Sequence, residues 1–237
     1  MSSSEKMIYV ADYNQYIEIL GTAHFTSTSI RDAVEKVRTI KPDALALELD
    51  LRRYFALQGN CIYCGRRHLS SRCEFTTASD TLGNVDADIW LVDMTEDEMH
   101  QRITQLARKY GFIYRPRNNW ESYQEALTAA RLWESGRKEE AQQLFEADLE
   151  QLKQSVPVVW AVLVEERNLL MAARLSWLVT EYLDEGIKAP KVLALTGAAH
   201  EKGIKQYLRE PTKIPVKLRE FGLNFTQPSL IRRVHVA

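Results

Sequence analysis

The stretch whose reading decides the fold is IEILGTAHFTSTSIRDAVEK, residues 17 to 36. A short apolar run reaches Gly21, and His24 follows three residues later. Only then do apolar residues fall at helical spacing, at Ile30, Ala33, Val34 and Val37. This predicts a strand over 16–20 and a helix from about Ser29 to Ile40, which Pro42 ends. ALALELD, residues 44 to 50, reads as a second, buried strand. A β-α-β unit of this kind crosses over right-handed and makes its strands parallel, so their carboxyl ends share one edge. Near the other end VLALTGAAHEKGI, residues 192 to 204, repeats the order strand, glycine, histidine, helix.

Outward from these two anchors, residues 51–57 open a further helix that breaks off into a Cys-rich insert at 58–78. ADIWLVDMTEDEM supplies a third strand at about 88–92 and a helix entered at Thr95, with Glu98 placed to complete a capping box. The pattern stays helical to about Asp184, divided by Gly111, Pro116 and Gly136, with Pro157 near the start of the longest helix. KVLALT returns to strand, HEKGIKQYL to helix, and PVKL and IRRVHV are expected closing strands. The expectation is a single α/β domain over 1–237: a mixed, mostly parallel sheet flanked by helices, with a large helical insertion at about 95–185.

Composition narrows the function classes. The 31 Lys and Arg nearly balance 32 Asp and Glu, so no basic field points to nucleic acid as a partner. The longest apolar run, VPVVWAVLV, stops at Glu165 and Glu166, well short of a membrane span. The N-terminus has no basic segment followed by an apolar core, so a cytoplasmic protein is expected. Three cysteines, all between Cys61 and Cys73, argue for reduced thiols or a metal rather than a disulfide framework.

In open α/β sheets ligands collect beyond the carboxyl ends of the strands. On that edge the sequence sets His24, Glu48, Asp93 and His200, one from each of four strands. Histidines and carboxylates are the usual nitrogen and oxygen ligands of Zn, Mn or Fe, and a carboxylate can instead serve as a general base. Gly21 and Gly197 suit either a sharp turn or a close backbone approach. Each residue also has a plainer reading: a histidine after a strand is often a surface or capping group, and Glu48 or Asp93 can cap a helix. On the long helix, Val159, Val162, Leu163, Leu170, Ala173 and Trp177 form an apolar stripe into which Glu166 falls, with Arg167 beside it. Charges there are either a buried salt bridge, with Arg53 or Asp93 as the partner, or one wall of a site.

At these residues the sequence resembles the TraB/PrgY/GumN family, related more distantly to the Tiki metalloproteases and to ChaN-like and erythromycin-esterase-like proteins. The resemblance runs through LGTAHFTSTSIRDAVEKVRTIKPDALALELDLRRYFAL, ADIWLVDMTEDEMHQRI, VLVEERNLLMAARL and LALTGAAHEKGI. It implies an α/β core with paired G-x-x-H loops and, by analogy with the Tiki branch, a divalent-metal peptidase site. Carried over by position, His24 and His200 match the motif histidines, Asp93 the acidic residue of the middle strand, Glu48 the strand glutamate, Arg53 the arginine after it, and Glu166 and Arg167 the helix pair. Longer TraB-type members carry C-terminal membrane spans that are not found in this chain.

The insert CIYCGRRHLSSRC places Cys61, Cys64, His68 and Cys73 in a Cys3His order that suits a structural zinc, although its spacing is one residue shorter than a zinc knuckle. Free thiols on an exposed loop are the alternative. Altogether the expected function is a divalent-metal-dependent hydrolase acting on a peptide or related amide. His24, His200 and Asp93 hold Zn, Mn or Co; Glu48, Arg53, Glu166 and Arg167 form the catalytic set, with an arginine on the developing oxyanion. The alternatives are a protein of the pheromone-shutdown type that sequesters a peptide or small ligand, and a regulatory or nucleic-acid-contacting role for the Cys/His loop.

Overall fold

The computed structural model describes residues 10–24, 26–58, 73–84, 86–111 and 120–234. Its elements run β1 (Ile17–Thr22), α1 (Ser27–Ile40), β2 (Ala44–Leu47), α2 (Leu51–Gln58), α3 (Glu74–Thr81), β3 (Asp88–Leu91), α4 (Glu96–Tyr110), α5 (Trp120–Glu134), α6 (Lys138–Ser155), α7 (Pro157–Trp160), a π-helical stretch (Ala161–Glu166), α8 (Arg167–Asp184), β4 (Val192–Gly197), α9 (Ala198–Arg209), α10 (Lys213–Phe221) and β5 (Ser229–Arg232).

The sheet order is β1-β4-β2-β3-β5, with β5 antiparallel to β3 and the other pairs parallel. The fold is therefore the expected α/β type with a mostly parallel sheet. β1 and β2 are not neighbours, because β4 enters between them and pairs with both. That places the two glycine–histidine segments side by side: Gly21 is opposite Thr196, and Thr22 is opposite Gly197.

Alternation along the strands divides the core into two layers. Ala44, Ala46, Val192 and Ala194 face Leu169, Leu175, Leu178 and Val179 of α8, Ile204 and Leu208 of α9, and Ile214 and Leu218 of α10. Leu45, Leu47, Leu193 and Leu195 face Ala33 and Val37 of α1, Tyr54 of α2, and Phe75 and Ala78 of α3. Strands buried on both faces must be apolar throughout, which explains the unbroken ALAL and VLAL runs. The helices α5 and α6 reach the site through Trp133 and Ala141, which pack on Ala23 and Ala198.

Several expectations change. PVKL is helical, not a strand: Ile214, Leu218 and Phe221 bury one face of α10 at spacings of four and three, and Pro215 sits in the first turn, where its missing N–H costs nothing. The end of the proposed insert at 58–78 folds as α3 from Glu74. The strand expected over 44–50 stops at Leu47, which leaves Glu48 and Asp50 beyond its tip. The Thr95–Glu98 capping box forms as expected. Among the described residues, no helix is long and apolar enough to cross a membrane.

Candidate functional site

The carboxyl edge of the sheet does gather the expected side chains. A Cβ added to Gly197 would stand 3.0 Å from His24 Nε2, 3.5 Å from Glu48 Oε2 and 3.7 Å from His200 Cδ2, so three elements converge on one bare Cα. One added to Gly21 would stand 3.0 Å from Ala198 Cα and 2.5 Å from Glu201 Oε2. Neither glycine has a positive φ, so both are there for close approach rather than for a turn.

Arg167, the first residue of α8, is the hub. Its Nε donates to Asp93 Oδ1 at 2.9 Å, and Nη2 donates to Asp93 Oδ2 at 2.6 Å and Glu48 Oε1 at 2.5 Å. Nη1 donates to Leu163 O and to His200 Nε2, both at 3.1 Å. A guanidinium has five N–H groups, and here all five are used. Glu48 Oε2 in turn accepts from Gly197 N at 2.5 Å. Asp93 also accepts from Arg53 Nη2 at 2.8 Å and from Met94 N at 2.7 Å, while Asp50 holds Arg53 Nε at 2.7 Å. The buried-salt-bridge reading of Arg167 with Asp93 is what the structure contains.

Local structure puts Arg167 there. In the π-helical stretch before it the Arg167 N–H turns to Val164 O, and the Leu163 carbonyl takes the guanidinium instead. Glu166, its neighbour, is not brought to the site. Its carboxylate binds Arg102 of α4 through Nε at 3.0 and 2.8 Å and Nη2 at 2.9 Å, and the same arginine donates to Phe221 O. Successive side chains on a helix point about 100° apart, so one of the pair faces the sheet edge and the other α4.

Three participants were not assigned from sequence. Glu74, wholly buried at the start of α3, accepts from His24 Nδ1 at 2.6 Å. Thr22 Oγ1 donates to Glu74 Oε1 and to Thr196 O, both at 3.2 Å. Asn168 Oδ1 lies 2.7 Å from His200 Nδ1. Asn168 stands inside the quoted EERN segment, whereas Glu74 carries no signal because only the packing of α3 against α1 brings it near.

The two histidines are driven apart electrostatically. Burial works against charge on His24, but the Glu74 hydrogen bond and charge, with Glu48 beyond, leave it more basic than its ordinary value. His200 goes the other way: burial lowers it, Arg167 lowers it further, and Glu48 and Asp93 do not make up the difference. Burial would raise Glu48, yet His200 and Arg167 bring it below its ordinary value. Asp93, buried too, is held far below the usual carboxylate range by Arg167 and Arg53.

This donor chemistry bears on the expected metal. Both Asp93 oxygens are bound by arginine, Glu48 is bound at both oxygens, and His200 meets Arg167 at Nε2 and Asn168 at Nδ1. A divalent ion at His24, His200 and Asp93 would have to displace a guanidinium that already supplies the positive charge. The arranged residues therefore do not fit one, and among the described residues no group of three His, Cys, Asp or Glu side chains is set to hold a metal. Of the expected zinc set, Cys61, Cys64 and His68 lie outside the described residues. Cys73 is buried and caps α3, its Sγ accepting from Thr76 N at 3.5 Å.

No family model matches the chain, and no solved structure matches it. An uncharacterized protein of Methanocaldococcus jannaschii is 24% identical in a match 223 positions long that covers 82% of this chain and 53% of that protein. The chain thus spans about half the length of the relative it matches.

Proposed function

We propose that the chain is a cytoplasmic, TraB-like hydrolase of a peptide or related amide, in which the His24–Glu74 pair activates water. The observation that carries this reading is the 2.6 Å contact between His24 Nδ1 and a wholly buried carboxylate, with Nε2 of the same ring beside Gly197 at the strand ends. A carboxylate only accepts, so it keeps the proton on Nδ1 and makes Nε2 the basic nitrogen of the ring, the one that takes a proton from water. Water oxygen adds to the substrate carbonyl carbon as its proton moves to His24 Nε2. That proton then passes to the leaving amine as the carbon–nitrogen bond breaks. Arg167 contributes through its charge rather than by donating to the oxyanion, because its five donors are taken. Asp93 and Arg53 hold that charge in place.

The test is turnover of a peptide library by purified protein, with and without a chelator. His24→Gln is expected to lose roughly 10²-fold or more, the typical worth of a general base, and chelation to change little. Equal turnover by the variant would sink the assignment of His24; loss on chelation would return the metal. A second reading, capture of a peptide or small ligand without turnover, draws support from the saturation of Arg167. Stoichiometric binding by wild type and His24→Gln alike, with no product, would favour it.

A further inference from the structure

His200 lies in the first turn of α9, buried between two rival partners. Glu48 Oε1 stands 3.4 Å from Nε2 and would favour a proton there. Asn168 Oδ1 stands 2.7 Å from Nδ1 and favours a proton at that nitrogen instead. Arginine has no acceptor atom, so the 3.1 Å contact from Arg167 Nη1 needs the lone pair at Nε2. The contacts are consistent only with the Nδ1–H ring: Asn168 supplies the acceptor at Nδ1 and Arg167 the donor at Nε2.

Asn168 is held where it is by an absence. It is buried in the first turn of α8 and lies against Gly203, in the interior of α9. A Cβ at Gly203 would stand 2.9 Å from Asn168 Cγ and nearer still to Nδ2. Glycine is a poor helix former, and Gly203 has no positive φ to require it. The space it leaves is filled by the carboxamide.

We propose that Gly203 and Asn168 are positioning residues that fix His200 in its Nδ1–H tautomer, making the ring an acceptor that orients Arg167 and not a proton-transferring base. The inference goes beyond the hydrolytic reading and does not need turnover to be tested. Around the ring, Glu48 and Asp93 carry negative charge, Arg167 carries positive charge and His24 is the other titrating neighbour.

Ring-nitrogen correlation spectra of 15N-labelled full-length protein near neutral pH report the tautomer directly, with the His200 signals identified by their loss in His200→Gln. The wild type is expected to show Nδ1–H. Asn168→Ala and Gly203→Ala each take the acceptor from Nδ1 and are expected to switch the ring to Nε2–H facing Glu48, with the Arg167 Nη1 contact given up, and Asn168→Asp, which retains an acceptor, to restore Nδ1–H. If Gly203 acts through Asn168, adding Gly203→Ala to Asn168→Ala changes nothing further. Should Gly203→Ala fail to fold, Asn168→Ala alone decides, since it removes atoms without adding any. Nε2–H in the wild type, or unchanged signals in Asn168→Ala, would overturn the proposal.

Discussion

Arg167 is satisfied by five acceptors on four residues, and two of those residues, Glu48 and Asp93, are buried carboxylates. Removing Arg167 leaves Asp93 with Arg53 alone and strips the buried Glu48 carboxylate of its arginine. Arg167→Met is therefore expected to cost about 3–5 kcal/mol of stability, read as a lower urea midpoint. Arg167→Lys keeps the charge, but three donors on one nitrogen do not span acceptors spread around a planar fork, so it should fall in between. A methionine variant as stable as wild type would show that the network does not carry stability. At this scale the sequence told much about the edge of the sheet: His24, Glu48, Asp93 and His200 each follow a strongly patterned strand, so their shared edge was readable. Their partners were not. Whether Asp93 meets a metal or two arginines depends on how the long helix is rotated, and Glu74 depends on where α3 docks.

Elements explain the two adjacent charges on the long helix. A stripe drawn at ordinary α-helical spacing puts Glu166 on the core face, but the π-helical stretch at Ala161–Glu166 changes the register just before Arg167. Glu166 serves α4 and Phe221 through Arg102, tying the helical insertion to the end of α10. Glu166→Gln should then destabilise the fold by about 1.5–3 kcal/mol, the typical worth of hydrogen bonds to a charged group, while leaving turnover at the wild-type rate. A thermal melt paired with the peptide assay checks both halves, and a loss of turnover without a loss of stability would return Glu166 to the site. The α10 segment shows a different limit of sequence reading. PVKL satisfies a two-residue alternation as well as a helical one, and only the longer run from Ile214 to Phe221 separates them.

At the scale of the whole molecule, β4 enters between β1 and β2, and this one topological choice makes two distant glycine–histidine segments neighbours. The sequence showed the repeat of the motif but not the strand order, which is settled by packing of the sheet faces. The same junction ties stability to pH in two windows. Asp93 has its carboxyl lowered in the fold, so its contribution is complete above its ordinary value of 3.8 and is lost as pH falls below it. His24 is raised, so the stability from its pairing with Glu74 is complete below the ordinary histidine value of 6.5 and is lost as pH climbs through the raised value. The proposed water activation needs the neutral ring, which forms only in that upper window. The melting temperature should therefore peak at mildly acidic pH and the turnover rate at a higher one. Glu74→Gln leaves an acceptor for Nδ1 but removes the charge that raises His24, so its ring loses its proton at lower pH. The acid limb of the rate profile is expected to move down in pH, and the alkaline decline in melting temperature to flatten. Coincident optima in the wild type, or an acid limb unmoved in Glu74→Gln, would mean that the His24–Glu74 pair controls neither property.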